Sequence, residues 1–156
     1  MTRPIILAYD GSKNAKHAIT TAGELLHGHA VVVHVYGPPP PPAALAPSAG
    51  IALAIDLTAT EELDQHAREQ ATNVVQEGVD LAREAGFDPE PQLVAGDGVH
   101  SVWNAIVTLA DQRDASLIVV GHRDLSWIQD KLLGSVASDL VKHTTRPILV
   151  IPAEPE

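Results

Sequence analysis

Apolar positions along this chain fall into short solid runs separated by stretches with a helical period. Ile5 to Tyr9 is a β-branched and aromatic run ending at Asp10-Gly11-Ser12, which predicts a strand, a turn and a helix capped by Ser12. Ala15, Ala18, Ile19, Ala22, Leu25 and Leu26 then recur at helical spacing until Gly28, a suitable stop. Ala30 to Tyr36, AVVVHVY, is nearly all apolar and suits a strand covered on both faces. Gly37 and the five prolines Pro38 to Pro42 open an Ala-rich stretch almost without charge, read as a long loop over 37–57. Its apolar block Ile51 to Ile55 would suit a neighbouring subunit or the mouth of a pocket, and a loop with no role fits equally well.

Thr58-x-x-Glu61 has the form of a capping box. From Leu63 through Ala67, Ala71, Val74, Val75, Leu81, Ala82 and Ala85 one stripe predicts a long second helix up to Gly86. Gln92 to Ala95 is a third strand, Gly96-Asp97-Gly98 a turn, and Val99 to Ala110 a third helix. Ser116 to Val120 is a fourth strand, followed by a loop from Gly121 to Gly134, a helix from Ser135 to about Thr144, and a fifth strand from Pro147 to Ile151.

Strands alternating with helices five times predict an α/β fold, a three-layer sandwich in which an open five-stranded parallel sheet carries helices on both faces. Periodicity does not give the strand order. In such sheets ligands sit beyond the carboxyl ends of the strands, where the winding reverses, so the loops at Asp10, Tyr36, Gly96 and Gly121 are the places to look.

The length of 156 residues fits one domain, taken as 1–156 with the 37–57 loop inside it. Ten basic against twenty acidic residues give a net charge of -10, the wrong sign for a protein that holds nucleic-acid phosphates. The absence of cysteine excludes disulfides, thiolate nucleophiles and cysteine zinc sites. No leader-like or membrane-spanning apolar stretch is present, so a cytoplasmic protein without membrane contact is expected.

Two glycine-bearing loops open helices, where free amides and positive potential favour a phosphate. Gly96-Asp97-Gly98-Val99-His100-Ser101 nearly spells the dinucleotide fingerprint, but Ser101 replaces the last glycine and no acidic residue ends the next strand. The second loop runs Gly121-His122-Arg123-Asp124 to Gly134-Ser135. Its spacing resembles the nucleotide-binding signature of the universal stress protein family: a glycine, two residues, a glycine, nine residues, then glycine with serine or threonine. Ile5 to Ser12 resembles the family's opening strand and turn, His34-Val35 the end of its second strand, and Gly134 to Ile151 its closing segment.

The resemblance implies the adenine-nucleotide alpha-hydrolase-like, Rossmann-like sandwich with strand order 3-2-1-4-5, and a homodimer paired through the last strand. It implies an adenine nucleotide, ATP, AMP or cAMP, with Asp10 and Val35 near adenine and ribose and Gly121, Gly134, Ser135 and Val136 around the phosphates. Gly134 and Ser135 also suit that task physically, by close backbone approach and by a hydroxyl and amide at a helix start. Ser135 equally suits a plain helix cap, and Asp10 a turn residue.

The chain departs from the signature at its middle glycine, which is Asp124. A carboxylate ~4 Å from a phosphate charge costs about 4 kcal/mol at an effective dielectric of 20, roughly a thousandfold in affinity. Outward rotation, Arg123, Lys131 or a bound Mg2+ would offset this. His122 lies in the same loop and as an imidazolium could contact phosphate. His27 and His29 read as a solvated turn, His34 as a satisfied, partly buried imidazole, and His100 and His143 as helix residues.

No Walker lysine loop, nucleophile elbow or metalloprotease helix is present, so no catalytic or metal-ligating residue is assigned and any ATP hydrolysis is expected to be slow. The leading expectation is a nucleotide-binding stress-response sensor or regulatory module acting on an unidentified protein partner. A member that has lost its nucleotide and serves as an interaction module is the alternative, supported by Asp124 and the proline loop. An adenylyl- or phosphoryl-transferring enzyme comes third.

Overall fold

A near-continuous apolar strand must bury both of its faces, and the two-residue period of a strand decides which residue goes where. The computed structural model describes residues 2–37, 57–96, 102–122 and 135–154. Its strands are β1 (Ile5–Ala8), β2 (Gly28–Tyr36), β3 (Phe87–Ala95), β4 (Leu117–Gly121) and β5 (Ile148–Ile151). Its helices are α1 (Lys13–Leu25), α2 (Leu57–Glu84), α3 (Val102–Gln112) and α4 (Ser135–His143). The five strands form one parallel sheet in the order β3-β2-β1-β4-β5, as the family resemblance implies.

Alternation splits the core in two. Ile5, Leu7, Ala30, Val32 and Val119 pack with Ala18, Ile19 and Ala22 of α1 and Val75, Val79 and Ala82 of α2. Ile6, Val31, Val33, Ile118 and Val120 pack on the opposite face with Ile106 and Leu109 of α3 and Ala137 and Leu140 of α4.

Several predicted boundaries shift. β1 stops at Ala8, although Tyr9 stays buried and donates its amide to Val33 O at 2.9 Å. β2 begins at Gly28, where φ is +115°, so this glycine opens the strand and α1 ends at Leu25. β4 runs from Leu117 to Gly121, α4 stops at His143, and β5 starts at Ile148.

α2 already includes Leu57, so Thr58 lies inside the helix and does not precede it as a cap. The helix is about 42 Å long at 1.5 Å per residue and outreaches the nine-residue strands it covers. From residue 65 onward its first buried residue is Ala71, while Arg68, Glu69 and Gln70 are exposed.

The largest correction is β3, which begins at Phe87 and contains Pro89 and Pro91. Prolines argue against a ladder, but β3 is an edge strand. Gly96 N–H bonds Tyr36 O, so even-numbered β3 residues face β2 and both prolines turn their missing N–H outward.

The amino ends of the strands are tied by charge. Arg146 donates to Asp111 and Asp114 and to Ala115 O, and Arg3 donates to the same Asp114. The Arg146 guanidinium, and next that of Arg3, hold the Asp114 carboxyl below its usual range. This clamp joins the start of the chain to the turns before β4 and β5 and leaves the opposite, carboxyl rim for ligands.

Candidate functional site at the carboxyl rim

From β1 the chain winds outward through β2 and β3, then returns to β4 on the other side, so the winding reverses between β1 and β4. Asp10 lies two residues beyond the end of β1, and Gly121 closes β4 with His122 directly after it.

Asp10-Gly11-Ser12 forms a turn held by its own side chains. Gly11 has φ +81°, Asp10 Oδ1 accepts the Ser12 amide at 2.9 Å, and Ser12 Oγ accepts the Ala15 amide at 3.2 Å. Asp10 is thus the turn residue that its position suggested, and it is exposed at the rim. Ser12 caps α1 as predicted.

Gly121 has a packing reason for being glycine. A Cβ there would lie 2.7 Å from Asn14 O and 3.3 Å from Ala18 Cβ, so its absence lets the first turns of α1 cross the end of β4. His122 is half-buried, and its amide donates to Ile151 O at 3.0 Å, which holds the start of the loop against β5.

Val35 sits one residue before the end of β2, with its side chain against the α3 and α4 core. Tyr9 N–H bonds Val33 O, which turns odd-numbered β2 residues toward β1 and even-numbered ones toward β3. The Val35 N–H and C=O therefore face the space above β1, whose paired positions end at Ala8 with Val33. Val136 is half-buried on α4 and also packs on that core, so its side chain serves packing. Ser135 is the first residue of α4 and lies in its first turn, not at the capping position before it. Arg123, Asp124 and Gly134 lie outside the described residues, as do the 38–56 part of the proline loop and His100.

Gly96, opening the near-fingerprint loop, follows edge strand β3 and lies away from the reversal, which counts against a dinucleotide site. Beside it a cleft of about 470 Å³ opens between Tyr36, Gly37, Ala95 and Gly96 on the sheet and Gln65 and Arg68 on α2.

Sequence reasoning missed Tyr9, Lys16 and Glu77. The Tyr9 hydroxyl donates to Glu77 Oε1, and Lys16 Nζ reaches the same oxygen at 3.1 Å. Burial, and next the bond to Glu77, push the tyrosine's pKa well above its ordinary value; the Tyr9 hydroxyl, and next Lys16, hold Glu77 below the usual carboxylate range. No spacing joins residues 9, 16 and 77, and only the packing of α1 and α2 over β1 brings them together. His34 fits its expectation: half-buried, with Nδ1 2.9 Å from Tyr9 O.

The sequence profile described as the universal stress protein family matches residues 1–152. Universal stress protein Rv1996 of Mycobacterium tuberculosis is 34% identical over 55% of this chain, a match that spans 27% of that longer protein. Stress response protein NhaX of Bacillus subtilis is 29% identical over 94% of this chain and 96% of its own length. Among solved structures, protein MJ0577 superposes with a TM-score of 0.71 at 21% identity, covering 100% of this chain and 99% of that one. A universal stress protein in complex with cAMP gives 0.63 at 24% identity, covering 97% and 98%. An Arabidopsis thaliana family member with AMP bound gives 0.64 at 15% identity, covering 98% and 93%. The profile spans nearly every residue, and the sheet order and helical layers agree with the structural neighbours: this chain belongs to the universal stress protein family.

Proposed function

We propose that this chain is a single-domain regulatory module of the stress response that binds an adenine nucleotide in the crevice between the ends of β1 and β4. The observation that carries this reading is the convergence there of Asp10, the inward-facing peptide groups of Val35, and Gly121. A backbone N–H and C=O side by side complement the acceptor and amino donor on one edge of adenine, and a rim carboxylate accepts from ribose hydroxyls. Gly134, Ser135 and Val136 would meet the phosphates at the start of α4, where unpaired amides carry partial positive charge. The complexes of family members with cAMP and AMP, and of the Archaeoglobus fulgidus universal stress protein with dAMP, support the ligand class.

The test is calorimetric titration of nucleotide-stripped protein with ATP, AMP and cAMP, each with and without Mg2+. Saturable micromolar binding, abolished by Gly134→Glu, is the expected result. Without Mg2+, ATP should bind more weakly than AMP or cAMP because Asp124 repels the larger phosphate charge, and Asp124→Gly should strengthen ATP selectively. Silence across all three ligands by a folded protein would overturn the reading in favour of an interaction module.

We also propose a homodimer through β5. The two sheet edges differ: β3 carries Pro89 and Pro91 outward, while β5 is Ile148-Leu149-Val150-Ile151, with neither proline nor charge. A cytoplasmic location accords with the further observation that no helix among the described residues is long and apolar enough to cross a membrane.

A further inference from the structure

We propose that the His34 side chain is a positioning residue that holds the Val35 peptide open for a ligand by occupying the carbonyl of Tyr9. The inference rests on the nucleotide reading for its ligand and on the β1–β2 ladder for its mechanism.

In a parallel ladder a residue that donates to one strand neighbour accepts from the residue two positions further on. Tyr9 N–H donates to Val33 O, so the next bond in register would run from Val35 N–H to Tyr9 O. Among the described residues, the backbone bonds between these strands end with Tyr9 N–H to Val33 O. The imidazole takes the next place instead, with His34 Nδ1 at 2.9 Å from Tyr9 O. A carbonyl only accepts, so Nδ1 carries the hydrogen, and the bond forms with either charge state of the ring. A half-buried carbonyl is thereby satisfied without using the Val35 amide.

Tyr9 is well anchored for this purpose. Its ring packs where a Cβ on Gly78 would come within 2.7 Å, and its hydroxyl is bonded to Glu77. Immediately after it, Asp10 and Gly11 turn the chain away into α1, so the Tyr9 carbonyl is the last group on this side that the Val35 amide could reach in register. One side-chain bond thus fixes the peptide leading into Asp10 and leaves the neighbouring Val35 N–H and C=O facing the crevice.

The test compares His34→Leu, which removes the donor, with His34→Asn, whose side-chain nitrogen can reproduce the Nδ1 position. Two readouts are taken: amide hydrogen exchange at Val35 in nucleotide-free protein, and affinity for AMP. In His34→Leu the Val35 amide should close onto Tyr9 O, so its exchange slows about tenfold or more and AMP affinity falls about tenfold. His34→Asn should restore both. General loosening would speed exchange, so slower exchange on losing a hydrogen bond separates positioning from mere support. Unchanged exchange and affinity in His34→Leu, or a Val35 amide already protected in the native chain, would overturn the inference. A native chain that binds no AMP yet shows the slowed exchange in His34→Leu would uphold the positioning role and defeat the nucleotide reading instead.

Discussion

Tyr9 bears on both the stability of this protein and the shape of its candidate site. Burial, and next the Glu77 carboxylate, raise the proton affinity of its hydroxyl, while that hydroxyl lowers the proton affinity of Glu77, and the pair has a pH signature. The folded pKa of Tyr9 lies above the ordinary 10.0, so its contribution is intact below that pH and is lost as the pH climbs further. The folded pKa of Glu77 lies below the ordinary 4.5, so its contribution is intact above that pH and is lost as the pH falls. Tyr9→Phe should therefore lower the thermal midpoint most between about pH 5 and about pH 9, with the gap to the native protein narrowing on either side. Melts followed by circular dichroism across that range would check it, and a gap of constant size would mean the bond is absent in solution. At this scale the sequence was partly legible. The Ser12 cap and the satisfied His34 follow from local chemistry, because each rests on a nearby strand end or turn. Glu77 did not, since its partner is 68 positions away and nothing in a helical stripe marks one exposed glutamate from another.

Between elements, small residues set how closely the layers approach. A Cβ on Gly78 would stand 2.7 Å from Tyr9 Cδ1 and 2.8 Å from Val32 Cγ1, both in the packed face under α2. Gly78→Ala gains about 1 kcal/mol of helix propensity, but overpacking a filled core costs about 1–3 kcal/mol, and here the ring is pinned by its hydroxyl. Overpacking wins: urea unfolding should report a net loss of about 1 kcal/mol, and a stabilised variant would show that α2 can lift freely from β1. Helix and strand identities were readable because each long apolar stripe has one period. The extent of β3 was not, because Pro89 and Pro91 read as breakers until the strand is known to lie at an edge with those positions outward. The packing reason for Gly121 was equally invisible in sequence, because only the crossing of α1 over β4 reveals the contact with Asn14 that excludes a Cβ there.

For the whole molecule, the contrast between its two edges decides how copies could associate. Ile118 N–H bonds Pro147 O and His122 N–H bonds Ile151 O, so odd-numbered β5 residues face β4 and Ile148 and Val150 present their N–H and C=O outward. Strand order had to come from the family resemblance, since apolar periodicity is the same for a central strand and an edge. With that order established, the register identifies the substitution that separates folding from assembly. Val150→Pro removes an outward donor while leaving the β4 ladder intact, and proline's fixed φ is tolerated on an edge. Sedimentation at micromolar concentration should give a dimer for the native chain and a monomer for Val150→Pro, with the variant still folded by circular dichroism. A native monomer would refute assembly through β5. A folded variant that remains dimeric would move the interface elsewhere, because β3 is closed to a further strand by its two prolines and β5 would then have lost the donor that pairing needs.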